Sequence, residues 1–145
     1  MRYCQFASLI FLSLLSFNGM AQSNTQILGT WFNTEKTAQI EIMNSGEEFL
    51  GKIIWLNPAT KDGQPVLDKA NENEKLRNRP IMGLTILEGL KYDGGVWKGG
   101  KIYDPNSGKT YSCELKLKSP EKLEVKGFLG FSWIGKTVEW TKVKK

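Results

Sequence analysis

From Ile27 to Val143 the chain is a succession of short β-branched and aromatic runs parted by turn clusters. A turn signal every 8–12 residues or so is the rhythm of a β-barrel or β-sandwich, and it leaves little room for other folds. Lys109–Lys118 shows the pattern most clearly. Tyr111, Cys113, Leu115 and Leu117 fall on one phase, and Ser112, Glu114, Lys116 and Lys118 on the other. Such strict alternation marks a strand with one buried face. The other runs are Ile27–Asn33, Thr37–Met43, Phe49–Leu56, Ile81–Tyr92, Val96–Tyr103, Lys122–Phe128 and Thr137–Val143. Asn44-Ser45-Gly46, Asp93-Gly94-Gly95, Pro105-Asn106-Ser107-Gly108 and Ser119-Pro120 turn one run directly into the next.

Strands joined by tight turns pair antiparallel. The expected fold is therefore all-β: an eight-stranded up-and-down antiparallel barrel, whose closure removes exposed edges. A two-sheet sandwich is the alternative. Asn57–Pro80 interrupts the rhythm, with prolines at 58, 65 and 80 and many polar groups. A loop of that length is expected to be a functional lid or a disordered linker. Asp68–Asn78 within it could form a short helix, with Asp68 as N-cap and Pro80 as its stop. No long helix and no internal repeat is apparent.

Residues 1–21 read as a secretory signal peptide, followed by a single β-barrel domain over residues 22–145. Arg2 is the positive start, Phe6–Phe17 is an apolar stretch too short to span a bilayer, and Gly19-Met20-Ala21 is the cleavage pattern. The expected destination is the periplasm or the exterior, with no transmembrane segment in the mature protein. Cys4 precedes the apolar stretch and cannot carry a lipid on the mature N-terminus. Cys113 is then the only thiol, so the domain has no internal disulfide and its core must carry the stability. Cys113 lies on the apolar phase of its strand and reads as a small buried hydrophobe.

The chain has no histidine. That excludes Ser-His-Asp and Cys-His catalytic units, HExxH metal helices and His-ligated haem. Any acid–base chemistry would fall to Asp, Glu, Lys, Tyr or Cys. Two loop motifs are decoys. Gly130–Thr137 satisfies G-x-x-x-x-G-K-[ST], but a phosphate loop must open a helix behind its lysine. Here an alternating run follows, and Phe131 and Trp133 crowd the interior. Asp104–Gly108 has a faint calcium-loop look but lacks the further ligands, so a tight turn is the simpler reading. No metal or cofactor is implied. Lys116, Lys118, Lys122 and Lys126 form a basic face interleaved with Glu114 and Glu124 rather than with aromatics, so a solvated face is expected and nucleic acid is not.

Gly29-Thr30-Trp31 resembles the G-x-W signature of lipocalins and calycins, in which the Trp plugs the closed end of a barrel under a basic residue from the last strand. Trp140-Thr141-Lys142 would supply that residue as Lys142. A longer resemblance rests on Arg77-Asn78-Arg79-Pro80-Ile81-Met82-Gly83-Leu84, on Gly99–Tyr111 (GGKIYDPNSGKTY), on Leu123–Phe128 and on Trp140–Lys142. Together these resemble an exported bacterial family known as domain of unknown function 2147, across nearly all of the mature chain. The resemblance implies a lipocalin-like barrel and assigns no activity. It marks Gly29, Trp31, Pro80, Gly83, Asp104, Pro105, Gly108, Trp140 and Lys142 as structural. The chain departs from the pattern at Lys142, where Arg is usual, and at Asn71-Glu72-Asn73-Glu74, which replaces an N-P-D-like stretch.

Arg77 and Arg79 are the foremost polar candidates, because guanidinium forks bind carboxylates bidentately. They would form an anion clamp at the barrel mouth, or else a structural ion pair with Asp68 or Asp104. Trp55, Trp97, Tyr103 and Tyr111 are the candidate lining of a ligand cup. The leading expectation is a binding module for a small hydrophobic or amphipathic ligand, an anionic amphiphile among them. The alternative is an envelope interaction module whose barrel is filled by its own aromatics. An enzyme using Tyr103, Asp104, Asp68 or Lys109 ranks third.

Overall fold

The computed structural model describes residues 23–131 and 135–145, so the signal-peptide reading of residues 1–21 lies outside the described residues. Its strands are β1 Gly29–Phe32, β2 Ala38–Ser45, β3 Glu48–Leu56, β4 Thr60–Lys61, β5 Gln64–Pro65, β6 Thr85–Asp93, β7 Val96–Asp104, β8 Lys109–Ser119, β9 Lys122–Phe128 and β10 Gly135–Lys142. Eight of them close into one antiparallel barrel in the order β1-β10-β9-β8-β7-β6-β3-β2. Each expected run becomes a barrel strand, because alternation and turn chemistry agree along almost the whole length. β4 and β5 form a separate small hairpin within the long loop.

The barrel closes where β1 meets β10, with Trp31 opposite Lys142 and Phe32 opposite Thr141. Inward-facing residues of the strands fill the interior, with the phase switching on β6 between Leu87 and Leu90. Ile40 and Ile42 of β2, Leu87 and Leu90 of β6, Cys113 and Leu115 of β8, and Leu123 and Val125 of β9 are all buried there. Gly51 and Gly100 lie among them. A methyl group on Gly51 would meet Leu87 at 2.9 Å, and one on Gly100 would meet Leu90 at 2.6 Å. These two positions take the smallest residue because larger neighbours occupy the space.

Several register shifts interrupt the barrel strands, and two of them place the tryptophans. On β3, Ile40 pairs with Ile53 and Gln39 with Trp55, which leaves Ile54 as an extra residue. An extra residue flips every side chain beyond it. Trp55 therefore turns outward, and Leu56 turns inward. On β7 the register shifts between Trp97 and Gly100, where Gly99 has φ +75°.

The long loop differs from expectation. It contains no α-helix; its one helical element is a 3₁₀ turn, Glu74–Leu76, capped by Asn73, whose side chain accepts from the Lys75 amide at 3.1 Å. Asp68 is not a helix cap. Its amide donates to the Arg79 carbonyl at 2.9 Å, and Leu67 and Pro80 form an isolated antiparallel bridge, so the two ends of the segment are drawn together. Asp, Asn and Ser side chains compete with helix formation by bonding nearby backbone. Asn71 does so here, accepting from the Asn73 amide at 2.8 Å.

The Gly130–Thr137 motif is no phosphate loop. Strand β10 begins at Gly135, where a helix would have to open; Ser132–Ile134, with Trp133, lie outside the described residues.

Candidate functional site

The barrel is solid at one end and hollow at the other. At the solid end Trp31 is fully buried and donates its indole N–H to the Ile27 carbonyl at 2.8 Å. Lys142 lies over its ring, with Nζ 4.4 Å from the centroid, and donates to the Leu28 carbonyl. Gly29, at φ +114°, makes room, since a Cβ there would lie 3.0 Å from Lys142 Nζ. Lys142 thus does fill the place of the basic residue over the plugging tryptophan. Burial lowers the pKa of its ammonium.

Trp97 belongs to this end too. It is fully buried against Tyr92 and Phe49, with centroids 4.8 and 6.3 Å away, and its indole donates to the Asn24 carbonyl at 3.2 Å. It is part of the plug and does not line the cup. Trp55 is outside the barrel, half exposed, edge-on to Phe32 at 6.1 Å. Neither tryptophan lines a ligand site, for the reasons the bulge and the plug supply.

Above the plug lies an open cup of about 850 Å³. Its wall is mainly aliphatic: Ile40, Ile53, Leu56, Ile86, Ile102 and Val125 line it. Tyr103, Tyr111 and Trp140 add aromatic surface, and Val66 of the long loop with Ile81 just after it completes one side. Of the expected lining, then, Tyr103 and Tyr111 are in place. The aliphatic wall was visible in the sequence only as strand alternation.

The two arginines sit beside the cup rather than in it. Asp68 is fully buried, yet its carboxylate is fully partnered. Oδ2 accepts from Arg79 Nε and from Asn71 Nδ2, both at 2.8 Å, and Oδ1 accepts from the Tyr103 phenol at 2.5 Å. Burial alone would raise the Asp68 pKa. Hydrogen bonds from Tyr103, Asn71 and Arg79, with the Arg79 charge, outweigh it and hold the carboxyl below its ordinary value of 3.8. The same contact works in reverse on Tyr103, whose pKa is raised by burial and then by its bond to Asp68. Arg77 donates through Nε to the Asn71 carbonyl at 2.7 Å and lies 3.7 Å from Glu74. Both arginines therefore staple the long loop. Asn71, a buried polar residue at one of the departures from the family pattern, is the hub of that network.

The turn after β7 completes the staple. Asp104 accepts from the Gly108 amide through its carbonyl at 2.8 Å and from the Asn106 amide through Oδ1 at 3.0 Å. Gly108, at φ +72°, lies so close to the loop that a Cβ would fall 1.7 Å from the Ala70 carbonyl oxygen. Pro105 lines the cup rim alongside Asp104 and Asn106. Gly83, at φ +88°, turns the chain into β6, and its amide donates to the Ile53 carbonyl at 2.9 Å. Cys113 is fully buried, and burial pushes its thiol up to about 12. Among the described residues no cluster of three or more His, Cys, Asp or Glu is placed to hold a metal, and no helix is long and apolar enough to cross a membrane.

Residues 29–142 match a family described as "Uncharacterized protein conserved in bacteria (DUF2147)". The chain belongs to this family. The matched span runs from Gly29 to Lys142, the pair that meets at the plugged end. Among solved structures, the DUF2147 barrel is similar to protein HP1028 from the human pathogen Helicobacter pylori, described as belonging to the lipocalin family. Identity is 29%, the TM-score is 0.64, and the match covers 74% of this chain and 73% of that one. No match was found among curated proteins. The lipocalin-like barrel implied by the DUF2147 motifs is thus the fold this chain adopts.

Proposed function

We propose that this exported barrel binds one small hydrophobic or amphipathic molecule in its cup. The observation that carries the reading is the aliphatic cavity of about 850 Å³ above the tryptophan plug. Ligand pockets of roughly 300–1,000 Å³, mostly apolar with a few polar groups at the edge, are the usual form of a small-molecule site. The likeness to a protein described as a lipocalin-family member points the same way. Export rests on the pattern of residues 1–21. A module with a filled barrel is the weaker reading, because among the described residues the aromatic side chains above the plug line the cavity without filling it. Catalysis has less support. The Tyr103 phenol is committed to Asp68, and Asp104 accepts hydrogen bonds within its own turn.

Two measurements test the reading. Native mass spectrometry of protein purified from its host should show an adduct of a few hundred daltons. Titration with the neutral fluorophore N-phenyl-1-naphthylamine should be saturable, and Gly127→Leu should weaken it. Gly127 lines the cup, and a Cβ there meets Tyr111 and Ile102 at ordinary contact distances of 3.6 and 3.7 Å. The larger side chain projects into the cup and narrows it. Undiminished fluorophore binding by a folded Gly127→Leu protein would rule out the cup.

A further inference from the structure

The cup has one cation on its wall, and it is neither arginine. Lys136 stands on β10 on the same phase as Val138, Trp140 and Lys142. Alternate residues of a strand share a face. Trp140 is buried in the interior and Lys142 covers the plug, so Lys136 points inward at the rim. Its register partner is Gly127, beside Tyr111 of the neighbouring strand β8 and Ile102 of β7. A glycine opposite leaves the lysine stem room to lie along the wall. Among the described residues lining the cup, Lys136 is the sole Lys or Arg, and no ion pair engages it.

The remaining charges at the mouth are Glu35 and Asp104. Each accepts from a local amide, which holds it to its own turn without removing its charge: Glu35 from Asn33 Nδ2 at 3.2 Å, and Asp104 from the Asn106 backbone at 3.0 Å. Arg79, beside the cup, is committed to Asp68, and Lys142, at the plugged end, to the Leu28 carbonyl. A strongly hydrated ammonium at the top of an aliphatic cavity favours a ligand that brings an acid to the same height.

Resting on the cup reading, we infer that the ligand is a single-chain amphiphile with an anionic head, its chain among Ile40, Ile53 and Val125 and its head on Lys136. The ammonium selects the head, and the aliphatic wall selects the chain. Lys136 is exposed, so replacing it leaves the core untouched.

The test is displacement of N-phenyl-1-naphthylamine by decanoate, decan-1-ol and decyltrimethylammonium at low salt. Wild-type protein should prefer decanoate over decan-1-ol by about five- to tenfold, the scale of a charge-assisted contact at a partly open site. Added salt should shrink that preference. Lys136→Gln should bring the two into line without weakening decan-1-ol, and Lys136→Glu should favour the cationic chain. If all three chains bind and Lys136→Gln leaves the ratios unchanged, the lysine assignment falls while the cup stands. If neither the fluorophore nor any chain binds wild-type protein, the cup reading falls and takes this one with it.

Discussion

Tyr103 on β7 donates its phenolic proton to Asp68, 35 residues earlier in the long loop, across 2.5 Å. This contact pins the loop to the barrel wall at the point where Tyr103 also lines the cup. Arg79, on the far side of the same carboxylate, closes the loop on itself at 2.8 Å. The three groups form one unit whose centre has no access to water.

Removing the centre should be costly. Asp68→Ala strands Arg79, Asn71 and Tyr103 together, and a loss of about 3 kcal/mol is expected, the scale for breaking a buried ion pair. Arg79→Ala should lower the melting temperature while leaving N-phenyl-1-naphthylamine affinity unchanged, because Arg79 braces the loop and does not line the cup. An affinity loss with no change in melting would restore the anion-clamp role.

The same carboxylate sets an acid limb. Its folded pKa is depressed, so its contribution is present above the unfolded value and is lost as pH falls through the folded pKa. Asp68→Asn should therefore be less stable than wild type at neutral pH, and the gap should narrow below about pH 4. Denaturant melts at a series of pH values measure it. A gap independent of pH would mean that the charge is immaterial.

Gly108→Ala should loosen the loop. The new methyl would collide with the Ala70 carbonyl at 1.7 Å, and the backbone sits at φ +72°. The turn must retreat, with a cost above the roughly 1 kcal/mol of the backbone conformation alone. Hydrogen exchange should quicken at the Asp68 and Asn71 amides first. Unchanged protection there would show that the turn and loop are not coupled.

Lys142→Met keeps the stem but removes the charge over Trp31 and the bond to the Leu28 carbonyl. A cation–π contact and one hydrogen bond together suggest a loss of about 1–2 kcal/mol in chemical denaturation. Lys142→Arg, which restores the usual family residue, should retain most of the parental stability. Equal losses in both variants would point to packing alone.

Cys113 should be inert in the native barrel. Its thiol is buried and raised to about 12, so little thiolate exists at pH 8. The chain from residue 22 onward should take up maleimide only after denaturation. Prompt labelling of the folded protein would place the thiol at an open surface.

The sequence by itself determined the strands. Alternation in β8 through Tyr111, Cys113, Leu115 and Leu117 reports a buried face directly, and the Asp93–Gly95 and Ser119-Pro120 turns report hairpins, since both signals are local. The plug was foreshadowed too, through the resemblance of Gly29-Thr30-Trp31 and Lys142 to the lipocalin signature. The sequence did not mark Lys136 as a wall residue, because the last alternating run starts at Thr137 and the strand begins instead at Gly135. Tertiary structure decided the rest. Trp55 left the interior because one extra residue at Ile54 inverted the phase, and Trp97 joined the plug because Asn24 and Phe49 meet it there. Asp68 became the centre of a buried network and not a helix cap, because Tyr103 offered its carboxylate a stronger partner than a helix terminus would. Local pattern fixes which face of a strand is buried; only the closing of the barrel decides what each face meets, since those partners lie far apart in the chain.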